Sequence, residues 1–119
     1  MSETHLVQCH RGRTLRMWIS MIGEGIALVS HSQGREPHPD YLAYLDEAAA
    51  VELMDHLEER TYLDTADYTL HIGDSYVTEE AIANLDINGH GTSMNQDNVD
   101  ELKDKLWRAI QDLLKQEKT

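Results

Sequence analysis

The sequence predicts an α+β fold in which a mainly antiparallel sheet carries two amphipathic helices packed on one face. Two observations support this class. Strand-like segments separated by glycine-containing turns fill the first part of the chain. Two later segments place apolar residues at three- and four-residue spacing, as amphipathic helices do. With 119 residues the chain is long enough for one domain and short for two, so we expect a single domain over residues 1–119.

The N-terminal part is predicted to form a three-stranded meander. Segment 14–22, TLRMWISMI, alternates apolar residues with Arg16, Trp18 and Ser20, which is typical of a half-buried strand. HLVQCH precedes it and IALVSH follows it, each across a glycine-containing turn. We therefore expect an antiparallel meander over residues 5–32. After a loop rich in glycine and proline, YLAYL is predicted to be a short strand or an ordered approach to the first helix.

Two segments are predicted to be helices. Asp46 is a good N-cap for EAAAVELMDHLEER, in which Ala50, Leu53, Met54 and Leu57 share one face. The last helix should run from about residue 96 to 115, because apolar residues form a long stripe bordered by Trp107. The stripe consists of Val99, Leu102, Leu106, Ile110, Leu113 and Leu114.

Between the helices, YTLHI at 68–72 is predicted to be a strand followed by a Gly-Asp-Ser turn. TEEAIANL is compatible with a short helix capped by Thr78 or with a strand. IGEGIALV before the first helix is similar to INGHGTSM before the second, which suggests an internal duplication.

Charge is the most distinctive bulk property, with a formal net charge of −12. Residues 1–35 contain four arginines and two glutamates, so the acidic excess lies in the rest of the chain. Such a field repels phosphates and argues against direct nucleic-acid binding, but it suits a basic partner protein or cations. A single cysteine excludes an intramolecular disulfide, and no apolar run suits a signal peptide or a membrane span. We expect a cytoplasmic protein.

An acidic helix flanked by tyrosines is the candidate binding surface, because aromatic residues beside carboxylates suit recognition of a basic partner. The alternative is that the tyrosines pack the helix onto the sheet. We favour a non-enzymatic protein that binds a basic partner, one concrete form being a nucleic-acid-mimicking inhibitor of phage or plasmid origin. The candidate binding residues are Tyr41, Tyr44, Glu52, Asp55, Glu58 and Glu59.

The segment DINGHGTSMNQD, 86–97, suggests a cation site. It resembles an EF-hand loop, and its terminal aspartate resembles the dockerin variant; the resemblance implies calcium bound at loop positions 1, 3, 5, 7 and 12. Those positions hold Asp86, Asn88, His90, Thr92 and Asp97. Imidazole is a poor ligand for a hard cation. The alternative, which we favour, is a turn at Asn88-Gly89 with positive φ allowed at Gly91 and helix capping by Ser93 or Asn95.

A small metal-dependent enzyme is a further alternative. Seven histidines accompany Cys9, but only Cys9-His10 is a local pair, and adjacent strand residues point to opposite faces. His31 and His38 would have to converge on Cys9 through the fold. The chain contains no nucleophile-elbow motif and no phosphate-binding loop. We therefore predict no cofactor other than the calcium alternative.

Overall fold

The first four strands form an antiparallel meander that is one strand longer than predicted. The computed structural model describes residues 4–9, 12–20, 25–32, 42–72 and 81–117. The strands pair in chain order and make the first sheet. The meander over residues 5–32 is confirmed, and the YLAYL segment adds an edge strand. The strands are β1 (His5–Gln8), β2 (Arg13–Ile19), β3 (Ile26–Ser32) and β4 (Leu42–Leu45).

The remaining strands form a second four-stranded antiparallel sheet instead of extending the first. The strand at 68–72 is confirmed. The ambiguous segment becomes a strand from Ala83, while Thr78 lies outside the described residues. The strands are β5 (Leu63–Asp64), β6 (Tyr68–Ile72), β7 (Ala83–Ile87) and β8 (His90–Met94).

Both predicted helices form, and each begins at a side-chain cap. Helix α1 (Glu47–Glu59) follows Asp46, whose Oδ1 accepts a hydrogen bond from the Ala49 N–H at 2.8 Å. Helix α2 (Gln96–Glu117) follows Asn95, whose Oδ1 accepts from the Asn98 N–H at 2.8 Å. The Asn95 N–H in turn donates to Oδ1 of Asn98 at 3.1 Å, as in a capping box. No helix within the described ranges combines the length and apolar character of a membrane span.

One hydrophobic cluster joins the inner faces of both sheets to the buried faces of both helices, which confirms the α+β class. Alternation along β2 directs Leu15, Met17 and Ile19 into this core and leaves Arg16 and Trp18 on the outer face. Helix α2 contacts β1, β2, β3, β8 and α1, so it packs against both sheets. The last helix therefore packs against elements from both halves of the chain.

A buried polar contact also joins the two sheets. The hydroxyls of Ser30 in β3 and Thr92 in β8 share a hydrogen bond, and both residues are fully buried. The Arg13 guanidinium donates to the Ser30 hydroxyl at 2.9 Å and to the Ser32 hydroxyl at 3.2 Å. Two strands from opposite halves of the chain are thus linked by a satisfied hydroxyl pair.

The two halves share an element order of four strands and one helix. The sequence similarity, however, aligns the β2–β3 connection with the β7–β8 turn. In the first half β4 intervenes between β3 and α1, whereas α2 follows β8 directly. The matched segments therefore end in the third strand of the first half and in the fourth strand of the second half. Because these positions differ, the sequence similarity does not correspond to the repeated order of elements.

Candidate protein-interaction surface

Helix α1 presents an uncompensated acidic face. It contains five carboxylates and neither lysine nor arginine. Ala50, Leu53 and Leu57 are buried, and at about 100° per residue three exposed acids lie on the opposite side of the helix. These three, Glu52, Asp55 and Glu59, extend over about 10 Å of helix axis at a 1.5 Å rise per residue. We call them the α1 acidic band.

Glu58 has a different role from the band. Its Oε2 lies 2.7 Å from Nζ of Lys103 in α2, and the same ammonium lies 3.7 Å from Oδ1 of Asp100. The hydrogen bond to Glu58 raises the pKa of Lys103, and the charges of Glu58 and Asp100 add to the effect. Glu58 is therefore neutralised at the boundary between the helices, which we call the α1–α2 seam.

The first half of α2 continues the negative surface. Asp97, Asp100, Glu101 and Asp104 are all exposed. Asp97 lies in the first turn, where the helix dipole favours a carboxylate. Further along, the Arg108 Nε donates to Asp104 Oδ2 at 3.1 Å, so this acid is partly compensated. The first half of α2 thus adds exposed carboxylates to those of α1.

Tyr44 and Tyr68 do not extend the exposed surface of the α1 acidic band. Tyr44 is 53% exposed, but it lies on the outer face of the first sheet, whereas Leu45 beside it points into the core that also buries α1. Tyr41 lies outside the described residues. Tyr68 is buried, as the packing alternative expects. Tyr62 is 54% exposed and forms an edge contact with the His71 ring at a centroid distance of 5.5 Å.

The segment 86–97 folds as a hairpin followed by a helix start. Asn88 and Gly89 have φ values of 51° and 86°, the paired positive values of a type I′ turn. This confirms the turn interpretation, and Asn95 supplies the expected cap. Gly91 does not adopt the positive φ that glycine would allow there. Gly91 lies in β8, where a Cβ atom would lie 2.8 Å from Oδ1 of Asn84, so a larger residue there would displace the Asn84 side chain.

The hairpin separates the candidate calcium ligands. Asp86 pairs with Gly91 across the strands, Thr92 is buried against Ser30, and Asp97 lies in α2. His90 pairs with Ile87 beside the turn. Asp86 and Asn88 do line an open depression of about 250 Å³, together with Thr65, Ala66, Asp67, Tyr68, Thr69 and Gly89. In the described ranges, no three His, Cys, Asp or Glu side chains are grouped to hold a metal.

Within the described part of the chain, Cys9 and the histidines do not form part of any group of three potential metal ligands. Cys9 is buried, its Sγ lies 3.6 Å from the Val7 carbonyl oxygen, and burial raises the pKa of the thiol to about 12. Such a thiol is a poor nucleophile. His5 contacts Asp112, and His31 Nδ1 lies 2.9 Å from the Ser32 carbonyl oxygen. His10 and His38 lie outside the described residues.

Two exposed apolar side chains were not singled out as binding residues from the sequence. Trp107 is 52% exposed and Val51 is 40% exposed, although both belong to helices with well-formed cores. In the sequence, the position of Trp107 at the border of the apolar stripe of α2 is the signal that could have indicated its exposure.

Comparisons with protein-family models, with curated proteins and with solved structures find no match for this chain.

Proposed function

We propose that this protein is a non-enzymatic cytoplasmic interaction protein that binds a basic surface of a partner protein through the α1 acidic band and the acidic start of α2. One observation carries the proposal. Helix α1 has five carboxylates with no lysine or arginine among them, and three of the five point directly away from the core. A basic partner is the complement that such a surface selects.

The acidic band works against the stability of its own helix. Glu52 and Asp55 are three residues apart, and Asp55 and Glu59 are four apart, so each pair costs about 0.2 to 0.5 kcal/mol in an isolated helix. Glu58 and Glu59 also lie in the last turn, where the helix dipole disfavours negative charge and His56 is the only basic residue. Glu58 is paired with Lys103, but the repulsion within the α1 acidic band has no such structural explanation, and a cationic partner would relieve it.

We further propose that the basic surface of the partner is the site with which the partner binds nucleic acid. Carboxylates repeated at helical spacing offer such a site an array of negative charges without phosphates. Binding would then exclude nucleic acid from the partner by competition. Binding should weaken steeply with salt, because exposed charges separated by more than a Debye length of about 8 Å are largely screened at physiological ionic strength.

The test is affinity capture from host lysate at low and high salt, with bound proteins identified by mass spectrometry. The variant Glu52→Gln/Asp55→Asn/Glu59→Gln removes the band while keeping side-chain size. The matched control removes the same charge from the second sheet and its turns. It is Asp64→Asn/Asp67→Asn/Asp86→Asn.

We expect a basic protein to be retained at low salt by the wild type and by the control variant, and to be lost from the band variant and at high salt. Displacement of that protein by added duplex DNA would support the nucleic-acid-mimicking form. Equal retention by both charge variants would show that the α1 acidic band is not the binding surface.

A further inference from the structure

The α1–α2 seam joins two antiparallel helices. Glu58 near the end of α1 contacts Lys103 in the first half of α2, and the Arg60 guanidinium donates to Gln96 Oε1 at the start of α2. The chain therefore advances along α1 while it returns along α2. The seam is a groove between helices of opposite direction.

Exposed apolar residues lie along this seam beyond the salt bridge. Val51 lies two turns before Glu58 on the same side of α1, and Trp107 lies one turn after Lys103 on the same side of α2. Both are exposed, at 40% and 52%. Beside them Met54 and Leu114, also on the seam sides of their helices, pack partly buried against the core. The seam thus carries an apolar strip: Val51, Met54, Trp107 and Leu114.

Carboxylates border the strip on both helices. Asp55 lies one turn from Val51, and Asp104 and Asp100 lie one and two turns before Trp107. Two cations lie among these acids. Lys103 is paired with Glu58 and Asp100, and Arg108 is paired with Asp104, so four carboxylates (Asp55, Glu58, Asp100 and Asp104) stand against two cations and the rim remains negative. An apolar centre with a charged rim is the composition of a protein interface, and tryptophan is enriched among residues that dominate binding energy.

We propose that a basic amphipathic α-helix of the partner lies along the α1–α2 seam, with its apolar face on Trp107 and Val51 and its lysines or arginines facing Asp55, Asp100 and Asp104. A groove between two helices accepts a third helix through apolar anchors at three- and four-residue spacing. The rim of acids selects a basic helix over an acidic one. The inference rests on the proposed function and identifies the shape and chemistry of the partner.

The probe is a synthetic helical peptide of about 18 residues, long enough for five turns, in which leucines form one face and lysines the other. A peptide of the same composition in scrambled order keeps the charge and loses the apolar face. Affinity is measured by titration calorimetry at about 0.15 M salt, where exposed charges are screened beyond about 8 Å. Tyr62→Ala is the control for Trp107→Ala, because Tyr62 is equally exposed but precedes β5.

We expect the amphipathic peptide to bind at least tenfold more tightly than the scrambled one. Trp107→Ala should weaken its binding at least tenfold, and Tyr62→Ala should leave it unchanged. In a Trp18→Phe background Trp107 is the remaining tryptophan, so its emission should shift to the blue when the peptide binds. The calorimetric comparison is made in the wild-type background and does not depend on how Trp18→Phe folds.

Three results would overturn the inference. If both peptides bind equally and only the Glu52→Gln/Asp55→Asn/Glu59→Gln variant weakens them, the proposed function stands and the seam is not the docking site. If neither peptide binds even at low salt, both proposals fail. If sedimentation shows a homodimer that Trp107→Ala dissociates, the seam is occupied by a second copy of this chain.

Discussion

The ring Nε2 of His5 lies 3.1 Å from Oδ2 of Asp112, a contact that joins the first strand to the last helix across 107 positions of the chain. The His5 side chain is 6% exposed and that of Asp112 is 27% exposed. A second contact holds the other end of α2, where Asn98 Nδ2 donates to the Gln8 carbonyl oxygen at 3.0 Å. Helix α2 is therefore hydrogen-bonded to β1 at two positions, one near each end of the helix.

Removing the His5–Asp112 contact should lower the free energy of unfolding. His5→Ala leaves the partly buried Asp112 without its partner, at a cost of about 1 to 3 kcal/mol. A double-mutant cycle with Asp112→Asn, measured by urea unfolding, should give a coupling energy of about 0.5 to 3 kcal/mol. The exposed Lys115 is the control, and Lys115→Ala should change stability by less than about 0.5 kcal/mol. Strict additivity of the two substitutions would show that the contact contributes nothing.

Cys9 should be inert in the folded protein. Burial, with a smaller contribution from the charge of Glu101, raises the pKa of its thiol to about 12, so almost no thiolate is present at neutral pH. A disulfide reagent should label native protein at least about a hundredfold more slowly than protein unfolded in urea, because reaction requires local opening. Rapid stoichiometric labelling of the native protein would reopen the case for a nucleophilic cysteine.

Alkaline pH should destabilise the protein partly through Tyr68. Burial, aided by the charges of Glu52, Asp67 and Asp46, raises the pKa of its hydroxyl from 10.0 to about 12. Between these values the unfolded chain releases this proton and the native state retains it. The stability that Tyr68 contributes is therefore present below pH about 10 and is lost as pH rises to about 12, by up to about 1.4 kcal/mol per pH unit.

Tyr68→Phe should make this alkaline loss shallower. In the described structure the Tyr68 hydroxyl has no hydrogen-bond partner, so its removal should cost little at neutral pH. The measurement is urea unfolding from neutral pH to pH about 11, with Tyr62→Phe as the exposed control. If the free energy of unfolding of Tyr68→Phe falls with pH as steeply as that of the wild type, Tyr68 is not a cause of the alkaline loss of stability.

The sequence predicts the elements well where the signal is local. The alternation along β2 and the apolar faces of both helices follow from the periods of strand and helix. The caps at Asp46 and Asn95 follow from side chains that accept the first free N–H groups of a helix. The Asn88-Gly89 turn follows from the φ values that a tight hairpin requires. Each of these features depends on residues a few positions apart.

The remaining features depend on long-range pairing and were not predictable from a single sequence. Whether β5 to β8 extend the first sheet or form a second one depends on contacts between distant parts of the chain, and the contact of Ser30 with Thr92 is one that joins the two sheets. Tyr44 and the α1 acidic band are close in sequence, yet alternation along β4 directs Tyr44 to the outer face of the sheet. The exposure of Trp107 depends on how α1 packs beside α2.

Calcium should leave the melting temperature unchanged. The type I′ turn uses Asn88 and Gly89, and residues 90–94 form β8 instead of a coordinating loop. A calcium site with Kd of about 0.1 mM would stabilise the protein by about 2.7 kcal/mol at about 10 mM calcium, which a thermal melt detects easily. A rise with calcium, absent with magnesium and abolished by Asp86→Ala, would instead establish a cation site on the hairpin.

Gly25 should be the glycine least tolerant of substitution among those with positive φ. Its φ is 142°, and a Cβ atom there would lie 2.3 Å from the Leu45 carbonyl oxygen and 3.3 Å from the Asp46 Cα. The start of β3 thus approaches the junction of β4 and α1 too closely for any side chain. Because the obstructing atoms are backbone, relief would require shifting the cap of α1. Gly12 has a φ of 75°, and no atom lies within 4 Å of a Cβ placed there. Substitution of Gly12 by alanine therefore measures the cost of the backbone conformation without a steric clash.

We expect Gly25→Ala to lower the free energy of unfolding by at least about 3 kcal/mol, combining backbone strain with overpacking. Gly12→Ala should cost about 1 to 2 kcal/mol, the penalty for a left-handed alanine. Urea unfolding of the two variants beside the wild type compares them directly. Similar losses in both would show that β3 can move away from the junction, and that the close approach to Leu45 does not determine how the first sheet meets α1.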